Sequence, residues 1–205
     1  MKYIDFYQKF KNSYPILNHQ DVDKIAGTKI LNTQLSDWVK KKLLIKPRRG
    51  IYLLKENENI DRFLLANKLY EPSCVSLESA LFYYGLIPDV VAAVTSVSTK
   101  KTRKFEFKNQ LFIYQKIKNN LFFGYREIAI DKWGFLIAVP EKAILDYFYL
   151  NLPRLKTKDS WDELRVDSSI YIKEINKARL LRLSKIFNSE KLEKIIQDFD
   201  KYIRK

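Results

Sequence analysis

The sequence predicts an α+β fold, and three observations carry the prediction. Over residues 1–43 the apolar positions recur at spacings of three and four, the helical period. Residues 90–138 instead gather β-branched and aromatic residues in partial alternation, the pattern of strands. From Pro140 the helical spacing returns and runs to the end of the 205-residue chain. A hydrophobic content of 46% with 14% aromatics excludes a disordered chain and supplies a real core.

The first element places Tyr3, Ile4, Phe6, Tyr7 and Phe10 on one side of a helix. Pro15 interrupts it. Asn18 caps a second short helix, with Asp21 three residues on as a weak box and Val22 and Ile25 inward, and Gly27 ends it. A third helix carries Ile30, Leu31, Leu35, Trp38, Val39 and Leu43 on one face. Residues 45–54 read as strand, turn, strand, with Lys46, Pro47, Arg48, Arg49 and Gly50 at the tip. Three helices with a glycine-bearing turn between the last two, then a tight basic hairpin, is the arrangement of a winged helix-turn-helix. The polar run ENENID at residues 56–61 reads as a linker. Two domains are therefore expected, residues 1–56 and residues 57–205. The second is a mixed α/β domain with a mostly antiparallel sheet and C-terminal helices.

Within that second part, a helix near residues 60–70 is closed by Pro72. Ser76 caps the next, which Gly85 and Pro88 stop, with Tyr83 and Tyr84 as packing residues. About four strands follow, with turns near residues 99–103, 108–109, 119–120 and 132–134. Pro140 opens a helix at its first position, with Glu141 in the first turn. Ala143, Ile144, Tyr147 and Phe148 form its buried face, and Lys142 and Asp146 read as a surface pair at i, i+4. Residues 153–168 read as a loop with a helical turn near 161–164. Two amphipathic helices close the chain, the first carrying Ile172, Ile175, Leu180, Leu183 and Phe187, the second Leu192, Ile195, Ile196, Phe199 and Ile203.

The net charge of +14 favours an anionic partner, nucleic acid or an anionic membrane surface. Residues 1–56 hold 12 Lys and Arg against 5 Asp and Glu, so half the excess lies in about a quarter of the chain. That concentrates the expectation on DNA and on the third helix and hairpin. The exposed face of the helix offers Asn32, Thr33, Gln34, Ser36, Asp37, Lys40 and Lys41, with Lys29 just ahead of it. Asn and Gln amides match adenine edges, Ser and Thr meet several edges, and lysines suit phosphates. Lys46, Arg48 and Arg49 at the hairpin tip are placed for a backbone or minor-groove contact. Lys100, Lys101, Arg103 and Lys104 make a second basic tip, either a further nucleic-acid contact or, the reading favoured, a charged edge that discourages aggregation.

Catalytic chemistry finds no purchase. Cys74 is the only cysteine and His19 the only histidine, so no disulfide, thiolate cluster or histidine-based metal site is expected. Asp21 and Asp23, and Asp198 and Asp200, have the i, i+2 spacing of a paired-carboxylate site, but lie in predicted helices where such residues do not share a face, and read as exposed charges. No phosphate-binding glycine loop and no G-x-S-x-G is present. The expectation is a non-enzymatic protein without metal or cofactor. The N-terminus has no apolar signal region and no run of about 18 apolar residues occurs, so a cytoplasmic protein without membrane association is expected.

Four segments resemble the AbiEi-type antitoxin and transcriptional regulator family of type IV abortive-infection toxin–antitoxin systems. They are RRGIY at residues 48–52, SLESALFYYGLIPD at 76–89, TSVSTKKTRKF at 95–105 and AVPEKAILD at 138–146. They fall in the family's order and are spread through residues 28–148, while the tail after about residue 150 carries no matching motif. Lys42 stands where related proteins often have glycine before the wing. The resemblance implies a repressor that binds inverted repeats in double-stranded DNA upstream of its own operon. It implies a C-terminal domain that counteracts a nucleotidyltransferase-like toxin without needing to bind it directly. The alternative is a winged-helix transcription factor whose second domain senses a ligand or dimerises, with no toxin. A C-terminal domain that modifies a toxin by an unseen catalytic site is a third reading.

Overall fold

The computed structural model describes residues 1–155 and 158–205, and its architecture is α+β. Residues 156 and 157 of the expected 153–168 loop lie outside the described residues. The N-terminal unit runs α1 (Tyr3–Phe10), β1 (Ile16–Asn18), α2 (His19–Ala26), α3 (Asn32–Lys40), β2 (Leu44–Arg48) and β3 (Ile51–Leu54). Its three strands form an antiparallel sheet in the order β1-β3-β2. β1 is absent from the sequence reading because three residues after a proline carry no readable period.

Local chemistry sets the helix ends. Asn18 and Asp21 make a full reciprocal capping box on α2, and Gly27 closes it at φ 70. Asp23, expected as an exposed charge, is half-buried and accepts the Ile30 amide at 2.7 Å, which pins the turn into α3. Leu31 corrects the expected apolar face. It is the N-cap of α3 and 63% exposed, while Ile30 is buried in the connecting turn. α3 ends in a Schellman motif: Leu43 N–H donates to Trp38 C=O at 2.9 Å and Lys42 N–H to Val39 C=O at 3.0 Å. Lys42 takes the left-handed position at φ 58. That is the place where the family resemblance expects glycine.

β3 is buried on both faces. Tyr52 and Leu54 point into a core with Phe6, Phe10, Leu35 and Trp38, while Ile51 and Leu53, with Ile16 of β1, join the core of the rest of the chain. Alternate residues of a strand point to opposite faces, so an unbroken apolar run such as IYLL marks a strand covered on both sides. The three-stranded sheet is therefore a layer between the N-terminal helices and the larger body.

The body begins with α4 (Arg62–Leu69), capped by the Asp61 carboxylate on the Phe63 and Leu64 amides. Then come β4 (Ser73–Val75), α5 (Leu77–Tyr83), β5 (Ala93–Ser98), β6 (Arg103–Phe107), β7 (Gln110–Lys116), β8 (Tyr125–Ile130), β9 (Trp133–Ala138) and α6 (Pro140–Asn151). The six strands order as β6-β7-β5-β4-β9-β8. The β4–β9 and β5–β7 pairings are parallel and the other three antiparallel, so the sheet is mixed where a mostly antiparallel one was expected. β4, the run Ser-Cys-Val, is the unexpected strand. Fully buried in the middle of the sheet, it has no polar face to alternate.

The remaining helices are α7 (Lys158–Asp162), α8 (Ser168–Glu174), α9 (Lys177–Ile186) and α10 (Glu190–Ile203). The first of the two expected closing helices is thus two, broken at Ile175, with Asn176 capping α9 through the Arg179 amide at 3.0 Å. Ile172, expected inward, is 52% exposed.

Candidate nucleic-acid interface

The polar residues expected on α3 split by their partners. Asn32, Thr33, Ser36, Asp37, Lys40 and Lys41 are exposed, and so is Lys29, which lies in the turn ahead of the helix. Gln34 is half-buried, and its amide donates to the Met1 carbonyl. Asn32 Oδ1 lies 2.9 Å from His19 Nε2, and His19 Nδ1 lies 3.5 Å from Asp23. Lys41 and Asp37 form an exposed ion pair at 2.8 Å. α3 receives no side-chain cap, so its first-turn amides remain available to an acceptor.

The β2–β3 hairpin turns through Arg49 and Gly50, with Gly50 at φ 81 and Arg48 paired to Ile51. A bulge between Ile45 and Arg48 accommodates Pro47, which has no amide proton for the ladder. The bulge gives the two tip arginines different directions. Arg49 and Lys46 are exposed. Arg48, expected at the DNA, turns toward the body. Its guanidinium donates to the Leu69 carbonyl and sits 4.6 Å from the Phe105 ring and 5.6 Å from the Tyr70 ring. Its ring partners are 22 and 57 residues away in sequence, and nothing local announces them.

Tyr70 is the residue the sequence reading missed. Its ring also lies 5.7 Å from Lys100 Nζ, and its hydroxyl donates to the Lys101 carbonyl at 2.9 Å. The hairpin tip and the β5–β6 turn, two basic segments far apart in sequence, thus converge on one aromatic side chain. Lys100, Lys101, Arg103 and Lys104 are all exposed there. A second anchor lies on the other side of the sheet layer. The Tyr14 ring packs edge-on against Trp133 at 5.0 Å, and its hydroxyl donates to the Gly134 carbonyl at 3.5 Å. Burial pushes that hydroxyl up to about 12, so it stays a neutral donor.

The family-like segments of the body meet elsewhere, in a buried polar network. Ser76, expected to cap α5, instead donates its hydroxyl to Asp146 at 2.8 Å. Thr95 Oγ1 donates to the Ser76 carbonyl at 2.9 Å, and Ser79 exchanges bonds with Thr95 at 3.0 and 2.8 Å. Lys142 and Asp146, expected on the surface, are both fully buried and paired with each other. They face inward because α6 packs between the sheet and the C-terminal helices, so its charged residues also lie in the interior. The Lys142 ammonium is ringed by Phe123, Tyr125 and Phe187 at 5.0 to 5.2 Å. Burial pushes this lysine down and the aspartate up from their ordinary ranges, each opposed by the other's charge. With every member inside and bonded to its neighbours, the network holds β4, β5, α5 and α6 together and presents nothing to a substrate.

Of the other nucleophile and carboxylate candidates, Cys74 and Asp200 are enclosed, Asp21 and Asp23 are half-buried, and Asp198 is exposed as expected. Cys74 is buried, and burial pushes its thiol well up, which leaves it unreactive. Asp21 serves the α2 cap. Asp200, expected as an exposed charge, is buried and holds Tyr171 at 3.1 Å and Arg204 at 2.7 Å. Among the described residues no three His, Cys, Asp or Glu side chains gather as a metal site, and no helix is long and apolar enough to cross a membrane. No family model and no curated protein matches the chain.

Proposed function

We propose that residues 1–54 are a winged helix-turn-helix that reads double-stranded DNA, with α3 in the major groove and the β2–β3 hairpin as the wing. The carrying observation is the uncapped polar face of α3 beside a basic hairpin, Arg49 and Lys46 exposed, in the quarter of the chain that holds half the net charge. Asn32, Thr33 and Ser36 face base edges, while Lys29, Lys40, Lys41, Lys46 and Arg49 meet phosphates. Lys100, Lys101, Arg103 and Lys104 extend the same basic surface onto the body, and Arg48 acts as the strut that fixes the wing there.

The four family-like segments support the fuller reading of a cytoplasmic, non-enzymatic AbiEi-type repressor. It binds inverted repeats upstream of its own operon, and its body opposes a nucleotidyltransferase-like toxin without a required complex. The direct test is an electrophoretic mobility shift on the DNA upstream of the gene. Lys46→Glu with Arg49→Glu abolishes the shift while the circular dichroism and melting profile stay those of the parent. An unchanged shift would refute the winged-helix assignment. Each phosphate contact removed lowers the salt slope by roughly one. The antitoxin role is tested by co-expressing the full chain with the neighbouring gene product. No relief of growth arrest, or a neighbour without toxicity, would sink it.

A further inference from the structure

The tail beyond residue 150 matches no motif, yet it carries an open groove of about 600 Å³ between α7 and α10. Lys191, Lys194, Lys201 and Lys205 line it, with Trp161 and Tyr202 between them. Among the described residues Asp198 is its one carboxylate side chain. Most lysines of the chain lack an acidic partner within 4 Å among the described residues, and those at 41, 55, 68, 108, 142 and 177 have one. Among the described residues none of these four does. Lys191 and Lys194 repel at i, i+3, while Asp198 stands at attractive spacings from Lys194 and Lys201, so the stripe keeps a net positive charge for an anion to meet. The Trp161 indole is 7% exposed, and its Nε1 is buried without a partner.

The shape of the stripe selects among anions. From Lys191 to Lys201 α10 advances about 15 Å at 1.5 Å per residue, and Lys205 lies just past its end, a stripe too long for one phosphate group. The groove is too small to seat a duplex. An acidic helix would need a row of apolar anchor pockets, whereas the only aliphatic side chain in the lining is Ile195. Lysines strung along an open groove, with the half-buried Tyr202 ring among them, match the backbone of an extended single strand. We propose that the α7–α10 groove binds single-stranded nucleic acid, at a site separate from the α3 surface.

The test uses the full chain and a fluorescein-labelled twelve-nucleotide strand, dT or rU, followed by anisotropy. Lys191→Gln/Lys194→Gln/Lys201→Gln weakens strand binding at least tenfold and lowers its salt slope by about two, at roughly 0.7 per phosphate for single strands. Lys173→Gln/Arg182→Gln/Lys185→Gln removes the same charge from exposed positions of α8 and α9 and leaves strand affinity within twofold. Lys46→Glu/Arg49→Glu also leaves it within twofold, so failure of the duplex site and of this groove are read separately. Equal losses in the two glutamine triples, or none in the first, would overturn the proposal. So would displacement of the strand by a glutamate-rich peptide at lower concentration than by unlabelled strand, which would assign the groove to an acidic protein.

Discussion

Asp37–Lys41 at the end of α3 and Lys142–Asp146 on α6 are ion pairs at the same spacing, i and i+4. The first pair is 50% and 64% exposed, the second wholly buried. In water such a pair contributes little, because solvent screens the charges and two long side chains must be held still. Inside, removing one partner strands the other charge in a medium that cannot solvate it. Spacing tells which side chains can meet, whereas the layer that covers the helix decides what the meeting is worth. α3 has water on its polar face, while α6 has the sheet on one side and α9 and α10 on the other.

Six substitutions test that contrast, beginning with the largest effect. Lys142→Met leaves Asp146 buried without its cation and costs about 3–5 kcal/mol in chemical denaturation. Adding Asp146→Leu recovers most of the loss, and a double variant as unstable as the single one would mean that the Ser76 bond matters more than the charge pair. Arg48→Ala removes a charged hydrogen bond and two ring contacts between hairpin and body, for a loss of about 2 kcal/mol. Arg49→Ala, one residue on, leaves the unfolding midpoint unchanged. Lys42→Gly relieves the left-handed φ at the end of α3 and raises stability by about 1 kcal/mol, read as a higher melting temperature. Asp37→Ala changes stability by less than about 0.5 kcal/mol. Under the proposed DNA reading it also takes a negative charge off the contact face, and mobility shifts report an affinity two- to threefold tighter.

Elements with local signals were legible in the sequence. The Asn18–Asp21 box, Gly27, Gly50, the Lys108–Asn109 turn with both residues at positive φ, and Pro140 at the start of α6 all lie where residue chemistry puts them. Elements defined by what covers them were not. β1 and β4 are three residues long and take their identity from neighbouring strands. The break between α8 and α9 did have a signal, since Asn176 is a good cap followed by helix formers, but the apolar spacing ran on through it. For the candidate interface, the exposed face of α3 followed from periodicity. The opposite directions of Arg48 and Arg49 did not, because the bulge at Pro47 and the rings of Tyr70 and Phe105 act only in the folded chain.

The doubly covered strand β3 limits how this protein can be taken apart. A cut after residue 56 would bare Ile51, Leu53 and Ile16 on one fragment and the surface they seal on the other. Neither half is a transplantable cassette, and fusing the first 56 residues to a reporter would yield an aggregation-prone graft. The same seam denies the hairpin any swing of its own. The angle of the hairpin is set at folding, and the body cannot be repositioned without remaking the sheet between them.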